Sequence, residues 1–220
     1  MRRVAMVVVL GAFLASAVHS EEPKSEEGFV PLFNGKDLSG WTGSVDGYAV
    51  EDGILYCKPK GGGNLFTEKE YADFVFRFEF RLPAGANNGL GIRAPLKGNA
   101  AYAGMELQIL DNTSPKYANL KPYQYHGSIY GVVPAKRGFL KPVGEWNYQE
   151  VRAIGRQITV ILNGETIVDA DLSKITETAD GKGLKGHPGL ARTSGHLGFL
   201  GHGAKVEMRN IRIKVIEAPK

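Results

Sequence analysis

The segment YADFVFRFEFRLP places Phe74, Phe76, Phe78 and Phe80 at every second position, with Val75, Arg77, Glu79 and Arg81 between them. A period of two belongs to a β-strand, whose successive side chains leave opposite faces. The four rings therefore share one face and must be buried together, while the intervening residues form a solvated face. Such a strand needs partners, and the rest of the chain supplies them. GILYCK, GLGIRAP, MELQIL, SIYGVV, YQEVRAIG, QITVILNGETIVDAD, GHLGFLG and VEMRNIRIKVIE are rich in β-branched and aromatic residues. Between them lie DG, AGANNG, NG and GHGA, the turn chemistry of antiparallel sheets. ITVILNGETIVDA is the clearest pair, two alternating runs joined by Asn163-Gly164 as a type I′ hairpin. No segment carries a sustained helical period, and only DLSKITETAD suggests a helical turn or two. Roughly ten short strands in about 190 residues predict an all-β sandwich or jelly roll in one domain, 28–217.

The ends of the chain read differently. MRR followed by VAMVVVLGAFL and then ASAVHS has the charged, apolar and small-residue regions of a secretory signal over residues 1–20, with a polar leader at 21–27. The apolar run is too short to span a bilayer easily. The expectation is an exported chain, periplasmic or secreted, with no membrane span once the signal is cleaved. Net charge is +4, falling to +2 without Arg2 and Arg3, and no Lys/Arg cluster marks a nucleic-acid surface. Cys57 is the single cysteine, so no intramolecular disulfide can form. Its place at a strand end suits a small buried apolar residue better than a nucleophile.

GMELQILDN, Gly104 to Asn112, sets polar groups into an apolar run. Burying a carboxylate or amide without partners costs a few kcal/mol, so Glu106, Gln108 and Asp111 either meet a structural need or face a cleft. Glu106 and Gln108 are two apart and share a face, while Met105, Leu107 and Ile109 point the other way. Asp111 falls on the core side by strict alternation, unless a bulge or strand end near Leu110 returns it to the cleft.

FVPLFNGKDLSGW, NNGLGIRA, GMELQILDN, GSIYGVV, KPVGEWNYQEVRAIG, ILNGE and GHLGFLGHGAKVEMRNIRIK, in that order, resemble the bacterial 3-keto-disaccharide hydrolase domain family, over about Gly28 to Ile216. The resemblance implies a concanavalin A-like jelly-roll β-sandwich of two curved antiparallel sheets, the architecture of legume lectins and laminarinase-type glucanases. It also implies a glycoside or oligosaccharide substrate carrying an oxidised sugar.

In such a sandwich the concave sheet forms the cleft, and Glu106 and Gln108 line it if the apolar set fills the core. The spacing Glu106, Gln108, Asp111 is that of the E-x-D-x-x-E signature of laminarinase-type glycosidases, with an amide in the middle and a shortened acid at the end. Retaining hydrolysis needs two carboxyl groups roughly 5 Å apart, so that mechanism is not carried over. A 3-keto sugar permits another route, in which the carbonyl acidifies the C2 proton, a base removes it, and the glycosidic oxygen leaves C1. That chemistry needs one base, a cation or donor at the enolate oxygen and a donor for the leaving group.

Glu106 is the expected base. Arg93 in GIRAP is read as projecting opposite Leu90 and Ile92, where it either serves Glu106 and the enolate or forms a structural Arg–Glu pair. His202, in a glycine-flanked turn, is a candidate catalytic group at the cleft rim or a turn residue. The family pattern tends to place glutamine and aspartate before this histidine, where this chain has Leu200 and Gly201. His126 and Tyr130, among Tyr123 and Tyr125, form a candidate sugar platform or an ordinary packed loop. Gln108, Asp111 and Trp146 complete the expected substrate-binding set, Trp146 also reading as a packing residue. Asn87 and Asn88 read as turn formers, His196 as structural, His187 as exposed loop and Trp41 as a pin for the N-terminal segment. No cofactor is required by the sequence. A divalent metal on His126, His202, Glu106 and Asp111 is compatible with it but unsupported by any ligand spacing. A non-catalytic sugar-binding module and a conventional glucanase using Glu106 and Asp111 are the alternative functions.

Overall fold

The computed structural model describes residues 28–217; the expected signal segment and leader lie outside the described residues. Its elements in chain order are β1 (Val30–Pro31), β2 (Trp41–Gly43), β3 (Tyr48–Glu51), β4 (Ile54–Cys57), β5 (Gly63–Tyr71), β6 (Phe74–Arg81) and β7 (Asn87–Ala94), then a helical turn α1 (Ala100–Ala103) and β8 (Met105–Leu110). There follow β9 (Trp146–Ile154), β10 (Gln157–Leu162), β11 (Glu165–Asp171), α2 (Gly183–Gly186), β12 (Gly195–Gly201) and β13 (Glu207–Val215). They build two antiparallel sheets, as the pattern of short strands and turn residues predicts. One runs β11-β10-β9-β6-β13-β4-β3, with β1 also paired to β13; the other runs β2-β5-β12-β7-β8. This is the expected jelly-roll sandwich.

Phe74, Phe76, Phe78 and Phe80 of β6 are all buried on the inner face of the larger sheet. Phe78 meets Phe199 of β12 edge-on at 5.6 Å between ring centroids, so the aromatic ladder carries the contact between sheets. Leu65, Leu90, Ile92, Met105, Leu107, Ile109 and Leu197 close the same core from the smaller sheet. On the outer face of the larger sheet Arg77 pairs with Glu150 at 2.5 Å, Arg81 with Glu207 at 2.6 Å and Arg209 with Glu79 at 2.8 Å. These cross-strand pairs fix register more than they add stability.

The turns follow their sequence signals. Asn163 and Gly164 have φ of 52° and 95°, and Asp52 and Gly53 have 49° and 75°, the left-handed pair of a type I′ hairpin. DLSKITETAD contributes one 3-10 turn, Leu172–Lys174, capped by Asp171 accepting from the Ser173 amide. Trp41 stacks on Phe199 at 6.0 Å and donates its indole N–H to the Leu32 carbonyl, holding the N-terminal segment to the sandwich. Cys57 is buried and unpaired.

Candidate active site

The smaller sheet has a second face, and its composition is unusual. Strand alternation that sends Leu65, Leu90, Leu107 and Phe199 into the core sends Asn64, Phe66, Gly89, Gly91, Glu106, Gln108, Gly198 and Leu200 outward. Gly91 stands opposite Glu106, Gly89 opposite Gln108, and Gly198 opposite Gly91 on the next strand. Of these three mid-strand glycines, Gly89 leaves its space to the Glu106 side chain, while Phe66 and Leu200 lie over Gly91 and Phe66 lies over Gly198. A β-carbon at Gly89 would collide with the Glu106 Oε1.

The result is a pocket of about 250 Å³ lined by Asn64, Asn99, Ala100, Ala101, Glu106, Leu200 and His202. Glu106 is only 7% exposed, and its carboxylate makes no hydrogen bond or ion pair with any described residue. Burial beside Leu200, Ala100 and Ala101 pushes its pKa up to about 7. His202 follows β12, and its imidazole, partly screened from solvent by the pocket, is held below the ordinary histidine value. A neutral imidazole can both donate and accept. Among the lining residues Glu106 is the single carboxylate, and none carries a permanent positive charge.

Tyr130 stands on the other side of Glu106. The Leu107–Ile129 bridge lays this segment along the free edge of β8, and the Tyr130 amide donates to the Glu106 carbonyl at 2.9 Å. Antiparallel partners share a face, so the half-buried tyrosine flanks Glu106, its hydroxyl accepting from Gln124 Nε2 at 3.1 Å. Gln108 shares the same face, and its Oε1 takes the Ile109 amide at 3.2 Å.

Four expected site residues are placed elsewhere. Arg93 is fully buried with φ of 48°, at a point where two residues of β7 oppose one of β12. That bulge turns its side chain off the simple alternation and away from Glu106. Its guanidinium instead donates to the Ala72 carbonyl at 3.0 and 3.1 Å and to the Gly155 carbonyl at 2.8 Å, and pairs with Asp73 at 3.1 Å. It is a clamp between the two sheets. Asp111, just past the end of β8, accepts from Gly85 N at 2.8 Å and from Thr113 N and Oγ1 at 2.9 and 2.6 Å. Burial works to raise its pKa, but these bonds outweigh it and hold the carboxyl below its usual range. The acid is spent on a turn.

His126 is buried against Phe80, its ring stacked at 5.1 Å. Leu110 N donates to Nδ1, which leaves Nε2 as the donor to Gln149 Oε1 at 3.0 Å. Burial drives its pKa down to about 4, and the ring is a neutral core group. Trp146 lies on the outer face of the larger sheet between Arg81 at 4.8 Å and Arg209 at 4.0 Å. With His126 and Asp111 committed in this way, the four-residue metal set is not assembled, and no group of three His, Cys, Asp or Glu that could hold a metal exists among the described residues. Asn87 and Asn88 belong to strand β7 rather than a turn, and His187 is buried, paired with Asp180 at 3.0 Å. His196 is structural as expected, bonded through Nδ1 to the Thr67 carbonyl.

Residues 28–214 match the family described as the 3-keto-alpha-glucoside-1,2-lyase-like domain. The chain belongs to this family. A 3-keto-disaccharide hydrolase of Bacteroides thetaiotaomicron is 26% identical, the alignment covering 89% of this chain and 81% of the relative. A protein of Parabacteroides distasonis, proposed to be a glycosyl hydrolase, superposes with a TM-score of 0.74 at 29% identity, covering 86% of this chain and 99% of the other. A carbohydrate-binding module of Bacillus subtilis shares the fold alone, with a TM-score of 0.52 at 13% identity over 80% of this chain and 95% of the module. This family member draws its pocket from β5, the α1 turn, β8 and β12. Asn64, Asn99 and Leu200 are the liners that reading β8 in isolation misses. Asn64 shares an alternating face with Phe66 in GNLFT, and Asn99 precedes a run of small residues as a capping asparagine does, but neither pattern says that the two meet.

Proposed function

We propose that this protein is an exported enzyme that breaks the glycosidic bond of 3-keto-glycosides or 3-keto-disaccharides by elimination across C1 and C2 followed by hydration. The observation that carries this reading is Glu106, a desolvated, unpartnered carboxylate with a pKa near 7 in a pocket whose other polar groups are neutral. A second carboxylate, which double displacement requires, is not among the lining residues. A base tuned near the working pH favours proton abstraction and return. The B. thetaiotaomicron relative and the family description, which names a 1,2-lyase, support the substrate class and the bond.

The steps balance with one base. The Glu106 carboxylate takes the C2 proton, and the C–H electron pair becomes the C2–C3 double bond of an enolate. Its collapse restores the C3 carbonyl, forms the C1–C2 double bond and expels the glycosidic oxygen, which takes a proton from the neutral His202 imidazole. Water then adds at C1, giving its proton back to His202, while Glu106 returns its own proton to C2. Tyr130 and Gln108 flank the base and serve as sugar contacts. The signal-like segment before residue 21 supports action outside the cytoplasm.

The test is incubation with a 3-keto-glycoside and its unoxidised parent, each with and without chelator. Turnover of the keto substrate alone, with C2 deuterium exchange preceding release of the leaving group, is the expected result. No turnover of either substrate would sink the enzyme reading, and equal turnover of both would sink the keto-sugar one.

A further inference from the structure

With Arg93 buried between the sheets, the pocket holds no cation for the enolate oxygen, so a neutral donor must meet it. Three polar groups besides Glu106 line the pocket, His202, Asn64 and Asn99; Gln108 and Tyr130, which flank the base, are not among the lining residues. A stabiliser of this kind should donate without giving up its proton and should arrive already oriented. His202 exchanges its proton in the reaction, and the Asn64 side chain has no hydrogen bond among the described residues to fix which end it presents. Asn99 differs from both.

The Asn99 Oδ1 accepts the Ala101 amide at 3.0 Å, while its backbone carbonyl accepts Tyr102 N at 3.1 Å and Ala103 N at 2.8 Å. Only the oxygen end of an amide can accept an N–H, so this bond determines the side chain's orientation. The end left over is Nδ2, which has no partner among the described residues and belongs to a side chain lining the Glu106 pocket. Asn99 is therefore a donor of fixed polarity, anchored by three hydrogen bonds. Resting on the elimination reading above, we infer that Asn99 Nδ2 donates to the C3 oxygen of the substrate, holding the carbonyl in the ground state and the enolate after C2 deprotonation. It is a catalytic residue, and it selects for a C3 oxygen that only accepts.

Two variants separate this role from capping. Ser and Asp keep an oxygen able to accept the Ala101 amide and cap about as well as Asn, but neither presents an NH₂. The probes are a nitrophenyl 3-keto-α-glucoside, read as release of nitrophenol, and a 3-keto C-glucoside in D₂O, which has no glycosidic oxygen to expel and reports enolate formation as C2 exchange. Asn99→Ser and Asn99→Asp are expected to lower kcat and the exchange rate together by about 10²-fold, with Tm within about 2 °C of wild type. Wild-type rates in Asn99→Ser overturn the inference even if Asn99→Asp is slow, because the added charge then explains the loss. A fall in nitrophenol release with unchanged exchange also overturns it, since Asn99 would then act after the enolate. A wild-type protein inert on both probes removes the elimination reading itself, a different result from either.

Discussion

Glu106 occupies the space that residue 89 leaves empty. The carboxylate of one strand lies over the α-carbon of the next because Gly89 has no side chain, and any β-carbon there collides with Oε1. Gly89→Ala in a strand would ordinarily be neutral or mildly stabilising, since alanine restricts the unfolded chain. Here it is expected to push the base out of line and lower kcat by about 10²-fold, the scale of an ångström's misplacement of a reacting group. Kinetics with the nitrophenyl 3-keto-glucoside, beside a thermal melt, check this; unchanged kcat would mean that the carboxylate does not act from this position.

Glu106 links activity to stability through its pKa. Its value in the folded chain is raised from 4.5 to about 7. Between these values the native state holds a proton that the unfolded chain has released, so stability falls as pH rises through that window and is flat above it. The loss amounts to about 3 kcal/mol. Activity runs the opposite way, with kcat/KM rising toward pH 7 as the base ionises. Glu106→Gln should lower kcat by about 10³-fold, abolish the pH-dependent loss and be the more stable protein at pH 8. Urea denaturation at pH 5 and pH 8 measures both slopes.

Arg93 is expected to behave as a structural residue. Arg93→Lys cannot reproduce a fork that reaches the Ala72 and Gly155 carbonyls and Asp73 together. It should cost about 3 kcal/mol, from buried carbonyls left unpaired, with kcat of the folded fraction near wild type. A kcat loss without a shift in the denaturation midpoint would restore a role in catalysis.

Trp146→Leu offers the contrast. The indole lies on the outer face of the other sheet, so KM for the keto-glycoside should stay within twofold, the order expected of a residue that touches no substrate. Tyr130→Phe, which removes a hydroxyl beside Glu106, should raise KM several-fold, about the worth of one neutral hydrogen bond. Equal effects from the two substitutions would argue against this placement of the cleft.

The sandwich was legible because strand alternation is a local signal: β6, β8 and the Asn163-Gly164 hairpin need no tertiary information. The register of β8 was legible for the same reason, and it placed Glu106 and Gln108 outward. Arg93 escaped that logic, since one bulge with a left-handed residue sends a side chain off the face that counting assigns. Asp111 and His126 escaped it too, because their partners, Gly85, Thr113, Phe80 and Gln149, are set by how loops close on the sheets. Nothing in the spacing of the β9 aromatics says which sheet Trp146 decorates. The pocket wall of Asn64, Asn99 and Leu200 comes from segments far apart in sequence, and the fold alone brings them together.

The α1 turn rests on Phe66, Ala94, Ala100 and Leu200, a small cluster set apart from the main core. Cooperative stability follows buried apolar contact, so a segment seated on a satellite cluster opens at a lower free energy than the sheets beneath it. Amides of Ala103 and Gly104, bonded back into this turn, should exchange with solvent well before those of β7 and β8. The closed turn thus keeps Asn99 in place over the pocket, and its local opening, rather than any movement of the strands that hold the base, is the expected route by which these amides reach solvent.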